Sequence, residues 1–96
     1  MNNKQIAAIF EDIVEMLKLK KDNIFKIRAY QKVAREIKEL EVEVEQLVRE
    51  DRLKEIPGAG EAIVKKLTEL VNTGKLEYYE KLKAESQDNR QHDKSH

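Results

Sequence analysis

Three observations predict an all-α fold, a compact bundle of four to five short helices. Charged residues make up 40% of the 96-residue chain and aromatics only 5%. β-branched residues almost never alternate with polar ones as a half-buried strand requires. Apolar residues recur instead at spacings of three and four, the period of a helix with one buried face.

Each element follows from that spacing. Ile6, Ile9, Phe10, Ile13 and Leu17 predict an amphipathic helix from Asn3 to Leu19. It closes on Lys18-Leu19-Lys20-Lys21, where cations suit the negative end of the macrodipole. Asp22-Asn23 supplies a turn and an N-cap. The second helix then runs from Ile24 to Leu40, with Tyr30, Val33, Ala34 and Ile37 as its core stripe and Phe25 and Ile27 entering near its start. Lys26, Lys32 and Arg35 project from its other faces. Glu41-Val42-Glu43-Val44-Glu45 alternates like a strand, but a lone strand has no partner, and Val44, Leu47 and Val48 suit a short third helix. Leu53 and Ile56 belong to a further helical turn. Ile63, Leu67, Leu70 and Val71 stripe a helix from Glu61 to Asn72, with Asn72-Thr73-Gly74 as its C-cap. Leu76, Tyr79 and Leu82 make a last short helix. One domain over residues 1–83 is therefore expected, followed by a disordered polar tail over 84–96.

Composition narrows the function classes. A chain of this size builds one modest core. With no cysteine there is neither a disulfide framework nor a thiolate metal site. No apolar run approaches the about 20 residues of a membrane span, so no membrane partner and a cytoplasmic location are expected. His92 and His96, with Asp93 between them in the polar tail, make a poor zinc site. No Ser-His-Asp set, Cys-His pair or Walker glycine loop is present. Net charge is zero, with 19 bases against 19 acids, but the charge is segregated. Lys18 to Arg35 holds seven bases against Asp22 alone, Glu36 to Asp51 reverses to seven acids against Lys38 and Arg49, and Arg52 to Lys83 returns to seven bases against five acids.

Ile56-Pro57-Gly58-Ala59-Gly60 contains the only proline and two of the three glycines, and a helix follows it directly. Gly58 and Gly60 permit a tight hairpin with exposed amides. The first N–H groups of the next helix lack intrahelical partners and sit at the positive end of its dipole. A phosphate oxygen fits there. With Leu53, Ile56, Ile63, Val64 and Leu67 placed to pack two helices together, Leu53 to Leu67 resembles the helix-hairpin-helix motif, which binds DNA backbones without reading sequence.

The resemblance extends to Phe25-Lys26-Ile27-Arg28-Ala29-Tyr30-Gln31-Lys32-Val33-Ala34 upstream and to Thr73-Gly74-Lys75-Leu76 downstream. Together these are similar to the N-terminal lyase-type domain of the family X DNA polymerases, the DNA polymerase beta group, over Asn3 to Lys83. The resemblance implies a DNA-repair module that grips the DNA backbone or a 5′-phosphate end, on gapped or 5′-phosphorylated DNA. It places the 5′-phosphate contacts on Lys26, Tyr30 and Lys54, and Lys32, Gly58, Gly60, Lys65 and Lys75 complete the expected DNA-binding set. No cofactor is required, but backbone carbonyls of Lys54, Ile56 and Ala59 are implied to seat a monovalent cation, Na+ or K+. A polymerase or nuclease subunit is the implied protein partner. Polymerase aspartates belong to other domains, so no polymerase activity is expected of these residues.

In several members of that family a lysine forms a Schiff base with a 5′-deoxyribose phosphate, and that lysine falls on Lys66. Ala62 and Tyr78 stand where lyase members carry lysines, and Phe25 replaces a histidine that stacks on a DNA base. A lysine attacks an aldehyde only as the neutral amine, so its pKa has to fall from roughly 10.4 by desolvation or nearby cations. At about 100° per residue, Lys66 lies at the edge of the apolar stripe and Lys65 nearly opposite it. Lys26 or Lys65 is placed to supply the neighbouring charge. A lysine snorkelling at the core edge has the same pattern, and Tyr30 is also compatible with a half-buried core tyrosine. Three functions stay open: a sequence-independent DNA-binding module, a deoxyribose-phosphate or abasic-site lyase, and a protein-interaction domain that uses the acidic Glu36 to Asp51 segment.

Overall fold

A computed structural model describes residues 1–94, with side chains through Ser86. It contains α1 (Asn3–Leu19), α2 (Ile24–Glu39), α3 (Val44–Arg49), a 3-10 turn (Leu53–Glu55), α4 (Glu61–Thr73) and α5 (Glu77–Lys94), and no strand among the described residues. Residues 95–96 of the expected tail, and the side chains from residue 87 onward, His92 and His96 included, lie outside the described residues.

Local chemistry starts and stops the helices. Asn2 caps α1 in a reciprocal box, its side chain accepting from the Gln5 amide while Gln5 accepts from the Asn2 amide. Asn23 caps α2 by accepting from the amides of Phe25 and Lys26. Both short turns after α1 and α3 use a left-handed non-glycine residue, Lys21 at φ 59° and Asp51 at φ 55°. There the chain doubles back as the Asp22 amide donates to the Leu17 carbonyl, and the Arg52 amide to the Leu47 carbonyl. Gly74 closes α4 at φ 76°, donating to the Leu70 carbonyl.

The core is one cluster contributed by every element. Ile6, Phe10, Ile13 and Leu17 of α1 are fully buried against Val33 and Ile37 of α2, with Val44, Ile56, Leu67, Leu70 and Leu76 closing the other side. Truncating a residue such as Phe10 in a packed interior of this kind costs about 3–5 kcal/mol. From Phe10 a row of rings leads outward. Phe10 lies 5.7 Å from Tyr30, and Tyr30 stacks on Tyr78 at 6.0 Å.

Two expectations need correction. Phe25 does not enter the core: it is 73% exposed, whereas Ile27 is buried. Residues two apart on a helix point to different faces, so only one of the two can join the Tyr30 stripe. The last helix, expected to be short, runs from Glu77 to Lys94 and continues through the segment expected to be a disordered tail. No proline or glycine follows Gly74 to stop it. Its first turns are anchored by buried Leu82, by the Tyr79 hydroxyl donating to Asp12 at 2.7 Å, and by a Lys20–Glu85 ion pair at 3.0 Å.

Candidate nucleic-acid interface

The hairpin joins the 3-10 turn to α4. Gly58 holds φ +86°, a conformation that costs a side-chain-bearing residue about 1–2 kcal/mol. Gly60 is different from expectation. It sits at φ −74°, ψ 178°, extended backbone that any residue adopts, and a Cβ built on it meets nothing within 4 Å. Its carbonyl accepts from the Val64 amide at 2.9 Å, so Gly60 is the N-cap of α4. The hairpin amides expected to be exposed are partly used internally: Ala59 donates to the Ile56 carbonyl and Gly60 to the Gly58 carbonyl. Outward donors therefore come from the first turn of α4, Glu61 to Ile63. Unlike α1 and α2, this helix has no side-chain cap.

Lys32 is built onto the hairpin by the absence of a side chain at Gly58. A Cβ there would stand 3.1 Å from Lys32 Cδ and 3.3 Å from Cγ, so the lysine stem lies across the glycine. Lys32 thereby ties α2 to the hairpin through its aliphatic stem. Among the described residues, Lys32, Lys54, Lys65, Lys66 and Lys75 take part in no ion pair. By contrast, Lys18, Lys20, Lys38 and Arg52 are each matched with a glutamate.

A second cationic group forms where α2, α4 and α5 meet. The ammoniums of Lys26 and Lys66 lie 5.4 and 4.8 Å from the centre of the Tyr78 ring. Tyr30 stacks on that ring with 13° between planes and is almost wholly buried. Burial, and then the Lys26 charge, push Lys66 below the ordinary lysine value, while Glu69 pulls it back. Lys26 is held above that value by the adjacent Tyr78 oxygen and by Asp22, 3.6 Å away. The Tyr78 oxygen is itself buried and reaches hydrogen-bond geometry with no partner among the described residues. Burial, ahead of the neighbouring Tyr78, drives the Tyr30 phenol strongly upward, so it stays protonated. Lys66 is half-buried and Lys65 exposed, as the helical wheel required, and Lys26 is the cation that faces Lys66. Lys66 and Tyr78 themselves line a cleft of about 490 Å³, together with Lys65, Lys81 and the carboxylates of Glu61, Glu69 and Glu77. The Glu69 carboxylate there is turned to the Glu77 amide, which it accepts at 2.8 Å.

The expected site residues thus separate into two groups along α2. Lys32, Gly58 and Gly60 belong to the hairpin side, and Lys26, Tyr30 and Lys66 to the tyrosine side, with Lys65 at the neighbouring cleft. Lys54 on the 3-10 turn and Lys75 after α4 are exposed and touch neither group in any hydrogen bond or ion pair among the described residues. Tyr78 was legible only as a replaced lysine, since nothing in helical spacing signals a ring stacked across two other helices.

The hairpin geometry and its packing helices agree with a family model for the helix-hairpin-helix domain, which matches residues 1–76. The chain belongs to the helix-hairpin-helix domain family. Helix-hairpin-helix domains generally bind DNA without reading its sequence, as a site made of backbone amides and lysines would. No curated protein matches the chain. In this helix-hairpin-helix domain the matched residues take in α1 through α4, and α5, with Tyr78, begins just after them.

Proposed function

We propose that this domain is a DNA-repair module that grips the phosphate backbone, and in particular a 5′-phosphate end, of gapped DNA. The observation that carries this reading is the uncapped N-terminus of α4 behind the Gly58 turn, with Lys32 laid across it. Backbone donors and a lysine then meet one phosphate, while Lys26, Tyr30 and Lys66 meet the next or the terminal one. Neither group contacts base edges by design, so affinity follows charge and DNA shape. The family X polymerase resemblance belongs with this proposal, as do a polymerase or nuclease partner and a cation on the carbonyls of Lys54, Ile56 and Ala59. Ile56 suits that last role, because its carbonyl accepts from Ala59 and keeps a second lone pair. Such a cation would add a positive charge between hairpin and phosphate.

The test is a titration of gapped, 5′-phosphorylated DNA against intact duplex at several salt concentrations. Tighter binding to the gapped end, falling linearly with log salt at a slope near −0.9 per phosphate contact, is expected. Equal affinity for both DNAs removes the end preference, and no binding at low salt removes the DNA reading.

A second reading rests on Lys66 alone. Its depressed pKa enriches the neutral amine that attacks the aldehyde of an abasic sugar. Loss of water would leave a protonated imine; transfer of its C2′ proton to water would then break the C3′–O3′ bond and free the downstream strand with a 5′-phosphate, and hydrolysis of the imine would return the lysine. Borohydride trapping on DNA with a 5′-deoxyribose phosphate checks it: a covalent adduct lost in Lys66→Ala supports lyase chemistry, and no adduct leaves binding as the function.

A further inference from the structure

We propose that Tyr78 is a positioning residue that gathers Lys26 and Lys66 into one seat for a terminal phosphate. This rests on the DNA-end reading above and adds to it an element beyond the matched domain. Lys26 is on α2 and Lys66 on α4, and nothing local to either helix brings their ammoniums together. Both lie over one ring, at 5.4 and 4.8 Å from its centre. The electron-rich ring face offsets the repulsion between the two cations. Its orientation is set by the stack on Tyr30, which is in turn packed on Phe10 in the core. The seat is therefore preorganised by the core rather than assembled by the ligand.

Charge selects the ligand. Lys66 has no ion pair among the described residues, and Lys26 has only Asp22 at 3.6 Å. A terminal phosphomonoester carries close to two negative charges at neutral pH and can pair with both ammoniums, whereas a backbone phosphodiester carries one. The seat accordingly prefers an end to an internal phosphate. The ring carries this role, since both ammoniums lie over it; the buried hydroxyl, in no hydrogen bond among the described residues, adds only the effect of its oxygen on Lys26.

The experiment compares affinity for gapped DNA ending in 5′-phosphate or 5′-hydroxyl for the wild-type chain, Tyr78→Phe and Tyr78→Leu. The free proteins are monitored by the NMR shifts of the Lys26 and Lys66 ε-methylenes and by thermal unfolding. Wild type and Tyr78→Phe are expected to share the phosphate preference within roughly twofold, and Tyr78→Leu to lose at least about fivefold of it. Upfield ring-current shifts should be present in the first two proteins and absent in the third. A preference that survives Tyr78→Leu, or that is lost equally in Tyr78→Phe, overturns the role of the ring. Wild-type ε-methylenes at ordinary lysine shifts overturn it without any DNA, including where Tyr78→Leu fails to fold. Equal wild-type affinity for the two ends contradicts the underlying DNA-end reading, and the proposal falls with it.

Discussion

The hairpin and the tyrosine-centred lysine group lie at different places along α2, and in the proposed function they hold an anion by opposite means. At the hairpin the donors are backbone amides left over where α4 begins, and the bare Gly58 lets the Lys32 stem lie across the turn. Glycine is the active choice there. At the second group the donors are side chains, half-buried and held over a tyrosine ring that belongs to α5. Backbone donors are fixed wherever the fold is intact, so the amides at the hairpin are robust and indifferent to pH. Side-chain donors depend on packing and protonation, which makes the second group tunable. The proposed function thus combines a generic grip and a discriminating one on one small fold.

The largest effect expected from breaking this contrast is at Gly60. Gly60→Asp fits an open, extended N-cap, so its carboxylate would occupy the α4 amides and stabilise the fold by about 0.5 kcal/mol. DNA affinity should fall at least roughly tenfold, because the amides are taken and the new charge repels phosphate. Calorimetry and fluorescence titration read the two effects in opposite directions. Gly58→Val comes next. Its left-handed φ costs about 1–2 kcal/mol of stability, and the added side chain pushes Lys32 off the hairpin, lowering both melting temperature and affinity.

Smaller still is Lys32→Ala, with a several-fold loss of affinity that is uniform across DNA sequences. The slope of log affinity on log salt should become shallower by about 1, as for loss of one phosphate contact. The hairpin glycine and this lysine would then be non-additive in a double mutant, since one positions the other.

The gentlest perturbation is pH, and it separates the two groups. Lys66 has a folded-state pKa below its ordinary value, so as pH rises it loses its proton, and its phosphate contact, before ordinary lysines do. For stability the sign is fixed by proton binding. Between the folded pKa of Lys66 and about 10.4 the unfolded chain holds more protons, so stability rises with pH across that window, and the penalty is fully present below it. An NMR titration of the Lys66 ε-methylene, alongside unfolding of wild type and Lys66→Met, checks both. The contribution of the α4 backbone amides to affinity should not move over the same range.

Much of this was written in the sequence because it depends on period and on backbone-special residues. The stripes of α1, α2 and α4 follow from spacings of three and four, Asn23 and Gly74 mark helix ends, and Pro-Gly-x-Gly marks the hairpin. The edge position of Lys66 follows from the helical wheel. What escaped depends on contacts between elements. Tyr78 gains its place only when α5 packs beside α2 and α4, and the unlike conformations of Gly58 and Gly60 cannot be told from two identical letters. Phe25 looked like core because it is apolar and close to Ile27, yet a two-residue step turns it to solvent. The length of α5 was missed because a polar helix needs no apolar stripe once Leu76, Leu82 and Tyr79 anchor its base.

Amide chemical-shift mapping with a short, 5′-phosphorylated gapped DNA tests the central claim most directly. The account predicts the largest changes at Gly58 and at Glu61 to Ile63, with accompanying shifts at Lys32, Lys26 and Lys66, and none along the acidic stretch from Glu36 to Asp51. Changes confined to that acidic stretch, or a hairpin left unperturbed at saturating DNA, would contradict it.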